Sequence, residues 1–574
     1  MPKEAPKRPF KRFFKLLQPD RKDIGYIYLF AVFNGLVNLS LPLGIQAIIS
    51  LIMGGQVSTS WVLLVSVVIL GVIAAGILQI LQLSIAEIIQ QRIFTRAAFE
   101  FTYRIPRFKT ESMLNSHPPE LINRFFDTLT LQKGVPKLLM DFSTAAIQIL
   151  FGLIVLSFYH PLFILMGMLL LLILIGIFYI TSRKGLETSL ESSEYKYEVA
   201  HWLEEIARVL DTLKLAGKTN LPFTKTDRLV QKYLKFRKEH FRVLVSQYSY
   251  MIGFKTLITG ALLLIGGFLV IDRQINIGQF IAAEIIIILI LNSVEEFILS
   301  IDTVYEVFTG LEKLGQVTDM PLETHKGEKF EEIDNGKGMQ VELKGLSYKY
   351  PERRLPSLTN IDLKIKPGEK IGIIGGNDSG KSTLIQMIAG LFEDFDGSLS
   401  YNGLPLGNLN LQSLRYYIGD NLAQEDLFDG TLAENISLGR PEIGISDLKR
   451  AVHHAGLDDF IASLDKGYDT EIIPTGRRLS RSIIKRILFA RSICSKPRLL
   501  LLDDFLSAVE KKTQNEMIEF LKTQTDWTLV VVTTRSAMLE ICDRVIYLEN
   551  GKIAAEGTPK EMLSDSRFQM CFNV

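Results

Sequence analysis

At 574 residues the chain is long enough for several domains, and a net charge of +1 implies no global polyelectrolyte partner such as nucleic acid. Cys494, Cys542 and Cys571 have no metal-ligand spacing and read as reduced, buried or surface thiols of a cytosolic domain. The average composition hides two unlike halves: residues 25–312 carry long apolar runs, whereas 338–574 have the mix of an ordinary soluble α/β chain.

The first residues, MPKEAPKRPFKRFFKLLQPDRK, are basic and lack the apolar core and small-residue cleavage site of a signal peptide. Residues 1–24 are expected to be a basic cytoplasmic segment, with Phe10 to Leu17 an interfacial amphipathic helix; a disordered leader is the alternative. No peptidase domain is expected ahead of Tyr26.

Six apolar segments follow, at about 25–53, 61–87, 139–160, 161–182, 249–272 and 278–308, each near the length that spans a bilayer. The short connections Gly54 to Ser60, His160-Pro161 and Asp272 to Asn276 belong outside. The long connections 88–138 and 183–248 are rich in Lys and Arg, among them Arg92, Arg96, Arg104, Arg107, Lys109 and Arg124. The positive-inside rule places them, both termini and the soluble half in the cytoplasm of a protein of the inner or plasma membrane. A soluble six-helix bundle fails on uncharged runs such as Leu162 to Ile180. Near the turning points of the two excursions, Pro118 to Arg124 and Trp202 to Ile206 are amphipathic; they either dock on the soluble domain or are solvated helix surface. Glu284 interrupts the apolar run Ile281 to Ile287, either as an interhelix hydrogen-bonding group or as part of a substrate pathway. Glu295 and Glu296 lie nearer the inner end and are weaker signals.

Residues 313–337 read as a polar connector broken by Gly315, Pro321 and Gly327, and 338–574 as a separate domain that begins with β-like alternation. Within it, Gly375-Gly376-Asn377-Asp378-Ser379-Gly380-Lys381-Ser382 fits the phosphate-binding pattern G-x-x-x-x-G-K-S/T at every specified position. The strand-like run Lys370 to Ile374 precedes it and the helical run Thr383 to Leu391 follows. Such a loop offers backbone N–H groups and a helix N-terminus to phosphate oxygens. Lys381 would reach the β- and γ-phosphates, and Ser382 would hold Mg²⁺. Downstream, Leu499 to Leu502 form a buried strand that ends on Asp503 and Asp504, and Asp503 is the candidate carboxylate for Mg²⁺.

The order phosphate loop, LFDGTLAENI (Leu427 to Ile436), YDTEIIPTGRRLS (Tyr468 to Ser480), LLLLDD and VVVTTRS (Val530 to Ser536) resembles an ATP-binding-cassette domain. With the six upstream segments the whole chain resembles an exporter half-transporter, nearest the type I secretion and peptide- or multidrug-exporter branch. The resemblance implies a multidomain fold: an all-α six-helix transmembrane domain, then an α/β P-loop nucleotide-binding domain. It implies a homodimer, or a heterodimer with another half-transporter, that sandwiches two ATP molecules; closure would switch the membrane part from inward- to outward-facing. By the same resemblance Tyr350 stacks on adenine, and Gly375, Gly376, Asn377, Asp378, Ser379, Gly380, Lys381, Ser382 and Thr383 bind ATP. Ser382 and Asp503 hold Mg²⁺, and Ser480 is the signature serine.

The departures from the family pattern gather where hydrolysis takes place. The glutamine expected near the attacking water falls on Ala423, with Gln424 reachable only by a local shift. The catalytic glutamate is Asp504, one methylene shorter, and the switch histidine is Thr534. The signature LSGGQ reads Leu479-Ser480-Arg481-Ser482-Ile483, and the loop that normally reads SALD is Ser507-Ala508-Val509-Glu510. Arg481 would either clash with, or pair with, the phosphate of a second copy. Arg477, Arg478, Lys485 and Arg486 read as a solvated basic face. The implied function is an ATP-binding exporter subunit with slow hydrolysis; the alternative is a non-hydrolysing structural or regulatory subunit. The apolar segments permit peptides, lipids or hydrophobic compounds as substrate and leave a periplasmic adaptor open.

Overall fold

A computed structural model of the chain describes residues 9–53, 59–114, 118–324, 326–351, 353–422, 427–473 and 479–565. It falls into two compact units, Met1–Pro106 with Ser116–Met320, and Arg107–Asn115 with Pro321–Val574.

The first eleven helices are α1 (Pro9–Leu17), α2 (Arg21–Asn38), α3 (Ser40–Met53), α4 (Thr59–Arg104), α5 (Thr110–Met113), α6 (Pro118–Asn123), α7 (Asp127–Tyr159), α8 (Pro161–Arg208), α9 (Leu210–Leu215), α10 (Leu221–Ile271) and α11 (Ile277–Thr318). All but α5 belong to the first unit. Among the described residues five helical stretches are long and apolar enough to cross a membrane: Phe10–Met53, Thr59–Arg107, Glu120–Tyr159, Leu221–Ile271 and Ile277–Thr318. The remaining expected segment, 161–182, lies within α8. Along α4 large apolar side chains such as Leu63, Leu70 and Ile80 are more than half exposed. A surface of that kind over a 46-residue helix calls for lipid or a partner.

Helices α7 and α11 form the spine of this unit. A Cβ on Gly152 of α7 would stand 2.8 Å from the Ile290 side chain of α11, so the glycine is what lets the two helices approach. Residues 9–17 are helical rather than a disordered leader: Phe10 meets Phe308 at 4.9 Å between ring centroids, and Arg12 pairs with Glu312 (2.5 Å) and Asp319 (2.6 Å). Helix α11 runs to Thr318, so the first residues of the expected connector are helical.

The two amphipathic stretches meet each other inside this unit, through a hydrogen bond from the Asn123 amide to the Glu204 carboxylate. The part of the first excursion that clusters with the second unit is instead 107–115. Phe108 forms an antiparallel bridge with Leu322, the Lys109 N–H donates to Pro321 O (3.1 Å), and the Glu323 N–H donates to Arg107 O (2.8 Å). The Glu111 carboxylate then accepts from the backbone N–H groups of Glu393 (2.6 Å) and Asp394 (3.0 Å).

The second unit carries strands β1 (Val341–Tyr348), β2 (Leu358–Ile365), β3 (Lys370–Gly375), β4 (Asp396–Tyr401), β5 (Leu404–Pro405), β6 (Ile418–Asn421), β7 (Gly430–Thr431), β8 (Glu471–Ile472), β9 (Leu499–Asp503), β10 (Thr528–Val532), β11 (Arg544–Glu549) and β12 (Lys552–Gly557). A six-stranded sheet has the order β12-β11-β3-β10-β9-β6 and is parallel apart from β12. An antiparallel sheet has the order β2-β1-β4-β5. The central strands are buried on both faces, so they read as unbroken apolar runs. Leu499 and Leu501 of β9 join one core cluster while Leu500 and Leu502 join the other, as the two-residue period of a strand requires.

Candidate nucleotide-binding site

Strand β3, the loop after it and helix α12 (Lys381–Ile388) realise the expected strand–loop–helix unit. Two glycines are required by geometry. Gly375 has φ +155°, and a Cβ there would sit 2.3 Å from Leu548 O. Gly380 has φ +99° at the helix N-cap, and its Cβ would sit 2.6 Å from Ser357 O. A cavity of about 330 Å³ opens over the loop, lined by Tyr350, Arg353, Ser357 and the run Asp378 to Thr383. The Lys381 ammonium donates to Gly375 O (2.9 Å), Gly376 O (2.5 Å) and Ser379 Oγ (3.3 Å). It is thus held at the loop where phosphate oxygens would arrive.

Strand β10 lies between β3 and β9, so the carboxyl ends of three neighbouring parallel strands converge here. That is the edge at which open α/β sheets bind ligands. Asp503 ends β9, and its Oδ2 accepts from Ser382 Oγ at 3.1 Å. Burial pushes the Asp503 carboxyl above the usual carboxylate range, and the Ser382 hydrogen bond opposes this. The neighbouring Asp504 charge adds to the rise, while Lys381 and Lys485 counter it. Ser382 and Asp503 offer hard oxygen donors side by side, a set that fits Mg²⁺. Next along, Asp504 is exposed, with φ +47°, its N–H on Val532 O (3.1 Å) and its carbonyl accepting from Ser507 Oγ (2.8 Å). Aspartate tolerates that left-handed backbone better than most residues. Thr534 is half-buried two residues beyond β10.

Tyr350 packs edge-on against Tyr348 (5.0 Å) and Phe392 (6.0 Å), and its hydroxyl lies 3.3 Å from Thr383 Oγ1. The structure therefore brings Tyr350, the phosphate loop, Asp503, Asp504 and Thr534 to one edge. Ser480 is elsewhere in the chain order and caps the helix Arg481–Cys494, its side chain accepting from the Ile483 N–H (3.3 Å). Gln424 and Ala423, with Arg477, Arg478 and Cys571, lie outside the described residues. Cys494 and Cys542 are buried free thiols that burial pushes up to about 11 and about 12, which keeps them unreactive.

Sequence reasoning missed Arg353, which lines the cavity and stands 5.9 Å over the Tyr350 ring. Its position three residues after Tyr350 was the available signal. It also read Lys485 as part of a solvated basic face, although its charge acts on Asp503.

Comparisons with known proteins agree with this geometry. A family model described as ABC transporter transmembrane region matches residues 24–294, and one described as ABC transporter matches residues 358–507. The chain is 32% identical over 262 residues to the uncharacterized ABC transporter ATP-binding protein YfiB of Bacillus subtilis, covering 46% of each. It is 30% identical over 303 residues to the multidrug resistance-like ATP-binding protein MdlA of Buchnera aphidicola, covering 52% of each. Against the alpha-hemolysin translocation ATP-binding protein HlyB of Escherichia coli it is 30% identical over 302 residues, covering 52% of this chain and 42% of that one. The chain thus spans about half the length of the curated relatives it matches. In fold it is similar to a bacterial Atm1-family ABC exporter solved with ATP bound, with a TM-score of 0.82 at 17% identity over 95% of this chain and 96% of that one. The chain belongs to the ABC transporters and carries both the family's membrane region and its ATP-binding domain.

Proposed function

We propose that this chain is one half of an ATP-driven exporter, an integral membrane protein with its nucleotide-binding unit in the cytoplasm, that binds MgATP firmly and turns it over slowly. The observation that carries the proposal is the Ser382–Asp503 hydrogen bond beside a phosphate loop whose lysine and glycines are all in place. In this reading the loop N–H groups and Lys381 hold the β- and γ-phosphates, and Tyr350 stacks on adenine with Arg353 above it. Ser382 and Asp503 would hold Mg²⁺, which supplies charge neutralisation at the phosphates. Asp504 would orient the attacking water from a carboxylate one methylene short, and Thr534 would offer a single hydroxyl to the γ-phosphate.

A second copy of the chain, or another half-transporter, would complete the assembly. Leu210, Leu215, Leu221 and Phe223, at the tip of the second excursion, are 45–88% exposed, an apolar surface suited to such a partner. The export direction and a polypeptide or hydrophobic cargo are favoured by the names of the relatives HlyB and MdlA. The second reading, a regulatory subunit that uses ATP as a conformational ligand, is favoured by the shared departures at Asp504, Thr534 and Arg481.

Vanadate-sensitive ATP hydrolysis by the purified protein in nanodiscs separates the two. Turnover that is low but clearly above that of Asp504→Ala supports a slow exporter. Turnover equal to that variant, with ATP binding retained, supports the regulatory subunit.

A further inference from the structure

The lower half of α10, from Leu221 to Tyr248, carries seven cations against two carboxylates. Three of the cations are taken up by rings: Lys225 lies 3.9 Å from the Trp202 centroid, Lys232 5.2 Å from that of Tyr195, and Lys235 5.5 Å from that of Phe236. Three others are grouped differently. Arg237, Lys238 and Arg242 are exposed, and with Phe241 they line a shallow cavity of about 320 Å³. Among the described residues none of the three makes an ion pair; Glu239 on the same helix is half-buried, and Glu306 of α11 feels the Arg237 charge only at longer range. Phe241 is 61% exposed in the middle of this charge.

The helical spacing places Phe241 on a longer face. Lys238, Phe241, Val245, Tyr248 and Ile252 recur every three or four residues, so they share one face of α10, and all five are exposed. The face begins with cations, turns apolar at Phe241 and runs through Val245, Tyr248 and Ile252 as far as Lys255, which pairs with Glu295 of α11 (2.9 Å). Phe241 to Ile252 covers about 16 Å at 1.5 Å per residue. The lane thus leads away from the cations along a helix long and apolar enough to cross a membrane, over a length that an acyl chain can follow.

We infer that this face of α10 is a binding site for one anionic phospholipid of the cytoplasmic leaflet. The headgroup phosphate would pair with Arg237, Lys238 and Arg242, and an acyl chain would lie along Phe241, Val245, Tyr248 and Ile252. A soluble phosphate would use the cations but leave Phe241 and the lane above it unexplained, so the apolar continuity selects a lipid. The inference rests on the cytoplasmic placement of this half of α10, which is tested separately. In Lys238→Cys protein, an impermeant maleimide labels position 238 in inside-out vesicles and leaves it unlabelled in right-side-out ones.

The site itself is tested by native mass spectrometry of the full-length protein released from micelles containing equal phosphatidylglycerol and phosphatidylcholine. The parent protein retains phosphatidylglycerol over phosphatidylcholine by about tenfold, since each cation near an anionic headgroup contributes about fivefold and partial solvation reduces the total. The triple variant Arg237→Gln, Lys238→Gln, Arg242→Gln loses that preference. A control triple, Lys225→Gln, Arg228→Gln, Lys235→Gln, removes the same charge from the same helix and keeps it. ATP binding at parental strength in both triples shows that the protein is folded. The inference is overturned if the first triple retains the preference, if the control loses as much, or if millimolar glycerol phosphate displaces the bound lipid and so marks a soluble-anion site.

Discussion

Strands β3 and β9 end one strand apart on the same sheet edge, yet they deliver residues of different completeness. After β3 every position that a phosphate loop needs is present, and its backbone geometry is the kind only glycine allows. Strand β9 ends on Asp503, the carboxylate proposed for the metal. The next carboxylate, Asp504, proposed to orient the water, is one methylene shorter than the glutamate that the resemblance implies and sits on a left-handed backbone. The strand between β3 and β9 is followed by Thr534 where the resemblance implies a histidine. Binding a triphosphate requires many donors that each tolerate small displacements. Orienting one water in line requires a single carboxylate at a fixed reach, where about 1 Å of displacement costs about a hundredfold. In the proposed reading the two regions would set affinity and turnover separately, and substitutions at each would move one without the other.

The largest effect is expected at Lys381. Lys381→Ala removes the cation at the phosphates and should weaken ATP binding by about a hundredfold or more. Equilibrium binding of labelled ATP to the protein in nanodiscs measures this, and unaltered binding would place the nucleotide elsewhere. Next, Asp504→Glu combined with Thr534→His should raise ATP turnover by about ten- to a hundredfold while leaving ATP affinity within about twofold. A rise in affinity with no rise in turnover would break the separation of the two regions. Because the position has φ +47°, glutamate there carries some backbone strain, so Thr534→His alone should be assayed beside the pair.

These features differ in how openly the sequence displays them. The phosphate loop is legible because eight consecutive residues specify a local backbone with its own donors. Strand β9 is legible for a related reason: burial on both faces writes itself as Leu499 to Leu502 without polar interruption. The long helices are legible in their apolar portions, but their continuation beyond the membrane length carries only a weak periodic signal. The contact of residues 107–115 with the second unit left no trace that periodicity could find. It depends on Phe108 meeting Leu322 and on Glu111 capturing two backbone N–H groups nearly three hundred residues away. The amphipathic stretches Pro118 to Arg124 and Trp202 to Ile206 displayed the stronger pattern but answer to each other. Arg353 escaped because a lone arginine after a turn is ordinary until its cavity is known.

On the binding side, Tyr350→Ala should weaken ATP by about tenfold, the scale of one base–aromatic stack. Tyr350→Phe should leave it nearly unchanged, since the hydroxyl makes only a 3.3 Å contact with Thr383 and a 3.5 Å one with Gln386. Equal losses in the two variants would mean that the hydroxyl, not the ring face, holds the base. A loss in Arg353→Ala comparable to that in Tyr350→Ala would extend the stack to the guanidinium.

The smallest effect concerns Asp503, where binding and stability oppose each other. Its carboxyl is raised above the ordinary range, chiefly by burial. A group raised in the folded state contributes stability that is full below its unfolded pKa and is lost as pH rises through the folded value. At neutral pH the ionised Asp503 is therefore a burden on the nucleotide-free protein. Asp503→Asn keeps the shape and removes the charge, so without nucleotide the variant should melt about 2–4 °C above the parent at pH 7. That gap should shrink as the pH falls into the range where the parental carboxyl protonates. With MgATP present the order should reverse, because ligand binding stabilises only the protein that holds the metal. A variant that melts below the parent at pH 7 without nucleotide would mean that the Ser382 hydrogen bond outweighs burial, and that the metal position is paired well enough to stand empty without cost.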